Sequence, residues 1–125
     1  MNWRRNLLWI DCSGGAVVGV AMFALAGWLS ELYRLPKDFL YLMGFANLAY
    51  AAYSFSLARR ATRPLALITV LALANGAWGV LCLVWAFGYA ESASVLGLLH
   101  LVVEGVFVGG LGIVEWRCRE LLLDA

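Results

Sequence analysis

Four long runs without a charged side chain divide this 125-residue chain and constrain its fold more than any other feature. Residues 12–30, 39–58 and 64–90 contain no Asp, Glu, Lys or Arg, and residues 92–114 contain only Glu104. An α-helix needs roughly 20 apolar residues to cross a bilayer, and its backbone amides must bond within the segment. The runs therefore predict an all-α integral membrane protein, a four-helix transmembrane bundle with short loops.

Composition agrees with this prediction, because 64% of the residues are hydrophobic and only 14% are charged. Soluble domains average about 45–50% apolar and about 25% charged residues. Such a chain has too little polar surface for a soluble enzyme domain or a disordered segment. We predict a single transmembrane domain over residues 1–125, with spans at roughly 8–30, 38–58, 64–88 and 94–115.

Lysine and arginine predict the orientation of the four spans. Seven arginines fall on one side of the predicted bundle: Arg4, Arg5, Arg59, Arg60, Arg63, Arg117 and Arg119. Arg34 and Lys37 fall on the other side. The positive-inside rule then places both termini in the cytoplasm. We expect a multi-pass protein of the cell membrane, of the bacterial inner-membrane type, whose first span is retained as a signal anchor.

Charge and cysteine usage exclude several functions. A net charge of +1 offers no electrostatic surface for nucleic acid. Cys12, Cys82 and Cys118 are isolated in the sequence, and His100 is the one histidine, so no zinc-binding set is present. We expect no catalytic residue, no metal ion and no cofactor, and the absence of a nucleophile–base set argues against an enzyme.

Glu104 is the most informative residue, because it is central in the last span. A charged side chain at that depth costs roughly 2.5–3.5 kcal/mol on insertion scales, so such residues are usually functional. His100 lies one turn earlier, at the i, i+4 spacing that places both side chains on one helix face.

Two asparagines lie near the centres of other spans, Asn47 in the second and Asn75 in the third. Helical spacing places Tyr50 beside Asn47 and Trp78 beside Asn75. If these faces converge, both amides surround Glu104. The pattern predicts a ligand or proton site made of Glu104, His100, Asn47, Asn75, Tyr50 and Trp78.

Two interpretations of this polar set remain open. The polar residues can be interhelical hydrogen bonds, each worth about 0.6 kcal/mol and at most about 1.7 kcal/mol. Alternatively, Glu104 is a protonatable switch and His100 relays its proton toward the outside. An amide side chain could form the same interhelical hydrogen bonds with a lower free energy of membrane insertion than a carboxyl. The presence of glutamate at position 104 therefore leaves both interpretations open.

Asp11 and Glu115 form a secondary acidic set near the inner ends of their spans. We expect Asp11 to be an interfacial acid neutralised by Arg4 or Arg63, and Glu115 to pair with Arg119 at the i, i+4 spacing. A proton path from Glu104 through both acids is conceivable on spacing alone.

Glycines four residues apart occur in two spans, as Gly15 with Gly19 and Gly105 with Gly109. Small residues at this spacing let helix backbones approach closely. We expect the first and last spans to pack on each other through these faces, or one of the faces to mediate oligomerisation.

In size and number of spans the chain is similar to the small multidrug resistance transporters, which carry a membrane-buried glutamate. In that family the acid lies in the first helix, whereas here it lies in the last. The fluoride channels have a similar plan, but their dual topology disagrees with the arginine bias. The similarity covers span number alone, and no residue is carried over from it.

Two functions follow as expectations. The first is a proton-linked transporter or binder of a hydrophobic or cationic small solute, acting through Glu104 and His100 with Asn47 and Asn75. The alternative is a non-catalytic accessory or assembly subunit that packs on partner helices through its glycine-rich faces. The expected partners are the lipid bilayer, a hydrophobic small molecule and a second membrane chain, either another copy or a different protein.

Overall fold

The computed structural model describes residues 6–123, and 84% of these residues are helical. Residues 6–123 contain no β-strand. The α-helices are α1 (Leu7–Ala24), α2 (Ala26–Tyr33), α3 (Lys37–Ala58), α4 (Leu65–Gly88) and α5 (Val95–Arg117), and a short 3-10 helix follows at Leu121–Leu123.

The helices form two close antiparallel pairs, α1 with α3 and α4 with α5. The pairs meet mainly at their two ends. At one end, Leu7 and Leu8 pack with Leu57, Ile68 and other apolar side chains from the ends of α3 to α5. At the opposite end, a second cluster joins α2 to the start of α3 and the end of α4. This arrangement leaves space between the pairs along the middle of the bundle.

Glycines allow the close approach within each pair. A Cβ atom on Gly79 of α4 would lie 2.6 Å from the Cα of Gly109 and 2.7 Å from the carbonyl oxygen of Gly105 in α5. In α1, a Cβ on Gly15 would lie 2.9 Å from the backbone oxygen of Asn47, and Gly19 meets α3 one turn further along. The glycines of the first span thus face α3, whereas the sequence led us to expect contact with the last span.

The first predicted span is divided into two helices, so the structure has five α-helices where the sequence predicted four. Leu25, with φ −112° and ψ 15°, separates α1 from α2. At the end of α2, the carbonyl oxygen of Tyr33 accepts from the backbone N–H of Ser94, just before α5 begins. Arg34 then ends α2 in the left-handed region, with φ 55°.

Three helices are long and apolar enough to cross a membrane: α1, α4 and α5. The fourth long helix, α3, has 22 residues and a more polar composition. Its polar side chains bond within the protein. Tyr50 donates to the carbonyl oxygen of Ala74, Tyr53 donates to that of Leu67, and Ser54 donates to that of Tyr50.

Ser94 caps the N-terminus of α5. Its Oγ accepts from the backbone N–H of Gly97 at 3.2 Å and donates to the carbonyl oxygen of Leu32 at 2.7 Å. We expect Ser94→Ala to lower the free energy of unfolding in detergent by about 1 kcal/mol, a typical cost for a lost N-cap. Ser92→Ala is the control, because Ser92 is exposed in the same loop. An equal loss in both variants would contradict the capping role.

Candidate functional site

A cavity of about 450 Å³ lies between the two helix pairs. It is bounded by α1, α3, α4 and α5, and its wall is mostly apolar. The polar and aromatic side chains that line it are Asp11, Ser13, Asn47, Tyr50, Asn75, Trp78, Glu104 and Phe107.

The cavity opens sideways, between α1 and α5. Val17 of α1 and Val103 and Phe107 of α5 line it and are also exposed on the outer surface of the bundle. A second groove, of about 350 Å³, lies on the opposite side, between α3 and α4. Tyr50 and Trp78 line both spaces, and their ring centroids are 6.0 Å apart. These two rings therefore separate the cavity from the groove.

The Glu104 carboxyl lies in the wall of the cavity and is only 7% exposed. Its Oε2 atom accepts from Trp78 Nε1 at 2.8 Å and from Asn47 Nδ2 at 3.2 Å, and the Cys82 thiol lies 3.6 Å away. Its Oε1 atom lies 3.0 Å from Nε2 of His100. Donors from α3, α4 and α5 thus converge on one carboxyl group, which suits its ionised form because a carboxylate only accepts.

His100 extends this network toward the end of the bundle formed by α2. Its Nδ1 atom lies 3.2 Å from the hydroxyl oxygen of Tyr33, and the two rings are 5.3 Å apart. Imidazole exchanges a proton near neutral pH, and its two nitrogens can bond different partners. The arrangement connects the buried carboxyl to a half-buried imidazole and a phenol through two consecutive hydrogen bonds.

Asn75 belongs to a different cluster, so the prediction that it faces Glu104 is wrong. Its Nδ2 atom donates to Oδ2 of Asp11 at 2.6 Å and to Oε1 of Glu115 at 2.7 Å. The antiparallel register of α4 and α5 explains the difference. The contact of Gly79 with Gly105 brings Trp78 and Cys82 opposite Glu104, and Asn75 lies one turn nearer the opposite end.

The structure gives each of the two secondary acids a partner that the sequence did not predict. Asp11 is buried, at 5% exposure, and its carboxyl accepts from the Asn75 amide. Glu115 is completely buried and bonds to Asn75, whereas Arg119 donates to the carbonyl oxygen of Trp116. Arg4 lies outside the described residues. Arg63 donates to the carbonyl oxygens of Leu57, Ala58 and Leu122.

Sequence reasoning missed two residues of the Glu104 network. Cys82 reads as a small apolar residue, yet its thiol approaches Glu104. Its i, i+4 spacing from Trp78 places both side chains on one face of the helix. The sequence does not show that this face meets Glu104. Tyr33 lies 67 residues before His100, and no sequence pattern predicts their contact.

Residues 6–123 contain no group of three or more His, Cys, Asp or Glu side chains that could hold a metal ion. Comparison with known family models, with curated proteins and with solved structures gives no match to this chain.

Proposed function

We propose that this protein is a four-pass membrane protein that binds a small hydrophobic cation in the central cavity and exchanges it for protons. The observation that carries the proposal is a laterally open, mostly apolar cavity with the Glu104 carboxyl in its wall.

The membrane topology rests on helix length and charge. Three helices are long and apolar enough to span a bilayer. We add α3 as the fourth crossing, because its 22 residues extend about 33 Å as a helix and its polar side chains bond internally. Arg59 and Arg60 follow α3, and Arg117 ends α5 at the same end of the bundle. By the positive-inside rule, this distribution supports cytoplasmic termini and a location in the cell membrane. Arg4 and Arg5 lie outside the described residues.

The size and lining of the cavity favour a small apolar ligand. Ligand cavities in proteins are commonly about 300–1,000 Å³, with mainly apolar walls and a few polar groups that orient the ligand. Here the rings of Tyr50 and Trp78 line the same cavity as Glu104, and the indole N–H of Trp78 donates to the carboxyl. Aromatic faces attract cations, and a carboxylate in an apolar wall is their natural counter-ion.

The lateral opening supports entry from the bilayer. Val17, Val103 and Phe107 border the opening and are apolar. Hydrophobic cations concentrate in membranes, so an opening at this position admits them without passage through a polar vestibule. Such a route suits a solute that would avoid water.

Proton exchange follows from the position of His100. A protonated His100 and a bound cation would neutralise the same Glu104 carboxylate, because His100 Nε2 lies 3.0 Å from Oε1. Binding of the cation then favours release of a proton from His100, whose side chain is 20% exposed and can pass the proton to water. Charge balance at one carboxylate is thus the physical basis of the proposed exchange.

The alternative function, an accessory subunit that binds partners through glycine-rich faces, has less support. Gly15 and Gly19 contact α3, and Gly105 contacts Gly79 of α4. These faces are occupied by helices of the same chain, so they do not offer a free surface for another protein.

The proposal is tested with tetraphenylphosphonium, a hydrophobic cation, and with tetraphenylborate, an anion of nearly the same shape. We expect the purified protein in lipid nanodiscs to bind the cation in equilibrium dialysis and not the anion. Gly14→Leu is expected to weaken cation binding at least about tenfold, a loss of roughly 1.4 kcal/mol. Gly14 lines the cavity, and a Cβ there already lies 3.2 Å from the ring of Phe107.

Gly88→Leu is the matched control for this experiment, because Gly88 is exposed at the end of α4 and a Cβ there meets nothing within 4 Å. It should bind the cation like the unchanged protein. Equal binding of the two ions, or unchanged cation binding by Gly14→Leu, would refute the proposed site.

A further inference from the structure

The cluster of Asp11, Asn75 and Glu115 contains a buried oxygen whose hydrogen bonding is incomplete. Glu115 is 0% exposed, and its Oε2 atom has no hydrogen-bond partner within residues 6–123. A buried polar atom left without a hydrogen-bond partner is destabilising, and more so when it is charged. The orphan oxygen therefore indicates that a further atom belongs at this position.

The neighbours of this oxygen restrict what the missing atom is. Both hydrogens of the Asn75 amide are already used, one toward Oδ2 of Asp11 and one toward Oε1 of Glu115. Because the Asp11 and Glu115 carboxyls accept from the same amide nitrogen, at 2.6 Å and 2.7 Å, they lie close together. Two carboxylates consequently face each other, and both can only accept hydrogen bonds while they are ionised.

A positive charge between the two acids would satisfy the orphan oxygen and remove the repulsion. Two carboxyl groups in close contact do not both stay ionised in a low-dielectric interior. Known pairs of carboxyl groups therefore share one proton. A metal ion of the calcium type takes 6–8 oxygen ligands. The Asn75 amide turns its donor hydrogens toward the acids, which would repel a metal ion. The missing atom is therefore better explained as hydrogen.

We propose that Asp11 and Glu115 hold one proton between them and form a proton-binding acid pair near the inner end of the cavity. Asp11 itself lines the cavity, so the pair has access to its interior. Two other titratable groups lie close enough for Asp11 to act on them electrostatically, Cys12 of α1 and Tyr50 of α3. This site is separate from Glu104 and does not require the solute proposed above.

Infrared spectroscopy of the full chain in nanodiscs tests this proposal. At neutral pH we expect the C=O stretching band of a protonated carboxyl, with a shift to lower frequency in deuterated water. The band should be lost in Asp11→Asn and in Glu115→Gln alike. In each variant the new amide supplies the hydrogen that the shared proton supplied, and the remaining acid stays ionised.

Glu120→Gln and Glu104→Gln are the controls, and both should keep the band. Glu120 is exposed beyond α5, and Glu104 lies in the other cluster. The unchanged protein decides the question even if the variants do not fold, because absence of the band would overturn the proposal.

Three further outcomes would also overturn the proposed pair. Survival of the band in either Asp11→Asn or Glu115→Gln would show one acid protonated alone. Loss of the band in Glu104→Gln would place the proton on Glu104. Loss on addition of sodium or potassium chloride would identify an inorganic cation site. Failure of tetraphenylphosphonium to bind would contradict the proposed function and leave this spectrum unaffected.

Discussion

Glu104→Gln is expected to weaken the binding of tetraphenylphosphonium by roughly 30-fold or more while the helix bundle remains folded. Removal of one partner from a buried charge pair costs about 2–5 kcal/mol, and about 1.4 kcal/mol corresponds to a tenfold change in affinity. Glutamine has nearly the shape of glutamate, and its carbonyl oxygen can still accept from Trp78 Nε1. The charge is lost and much of the hydrogen-bond network is kept.

The measurement is equilibrium dialysis in nanodiscs, with circular dichroism as the check on folding. Glu91→Gln is the matched control, because Glu91 is an exposed acid in the loop between α4 and α5. It removes the same charge at a distance from the cavity and should leave the affinity unchanged. Equal affinities of Glu104→Gln and the unchanged protein would show that Glu104 only holds helices together, which is the interpretation that the sequence also leaves open.

The sequence predicts the positions of the helices, because charged residues mark their ends. The helices α3, α4 and α5 span Lys37–Ala58, Leu65–Gly88 and Val95–Arg117, within two residues of the predicted spans 38–58, 64–88 and 94–115. The division at Leu25 is not predicted. Neither a proline nor a charged residue lies at this position.

The sequence predicts only part of the Glu104 site. Spacing within one helix can be derived from a sequence, but the register between two helices cannot. The pairing of His100 with Glu104 follows from their i, i+4 spacing within one helix. The contact of Asn47 with Glu104 follows from similar depth. The same reasoning from depth gave the wrong partner for Asn75. A shift of one helical turn between α4 and α5 brings its amide to Asp11 and Glu115 instead.

Burial also changes how the secondary acids are interpreted. In the sequence, Glu115 precedes Arg119 at a spacing typical of a surface ion pair. In the structure, Arg119 lies over the ring of Trp116, and Glu115 turns inward to the Asn75 amide. Because α5 ends at Arg117, Arg119 lies beyond the helix, and the i, i+4 spacing does not place it beside Glu115.

Gly79→Ala is expected to lower the free energy of unfolding by about 2–3 kcal/mol, the upper part of the usual range for overpacking. The added Cβ would lie 2.6 Å from the Cα of Gly109 and 2.7 Å from the carbonyl oxygen of Gly105. Both are backbone atoms, so relief requires α4 and α5 to move apart. Chemical unfolding in mixed micelles measures the effect.

Gly76→Ala is the control in the same helix, because a Cβ on Gly76 meets nothing within 4 Å. It should be neutral or stabilising by up to about 1 kcal/mol, since alanine favours the helix more than glycine does. Separation of α4 from α5 would also lengthen the 2.8 Å bond between Trp78 and Glu104. Gly79→Ala should therefore weaken cation binding as well, and Gly76→Ala should not. Equal effects of the two substitutions would contradict both the glycine contact and its role in setting the position of the carboxyl.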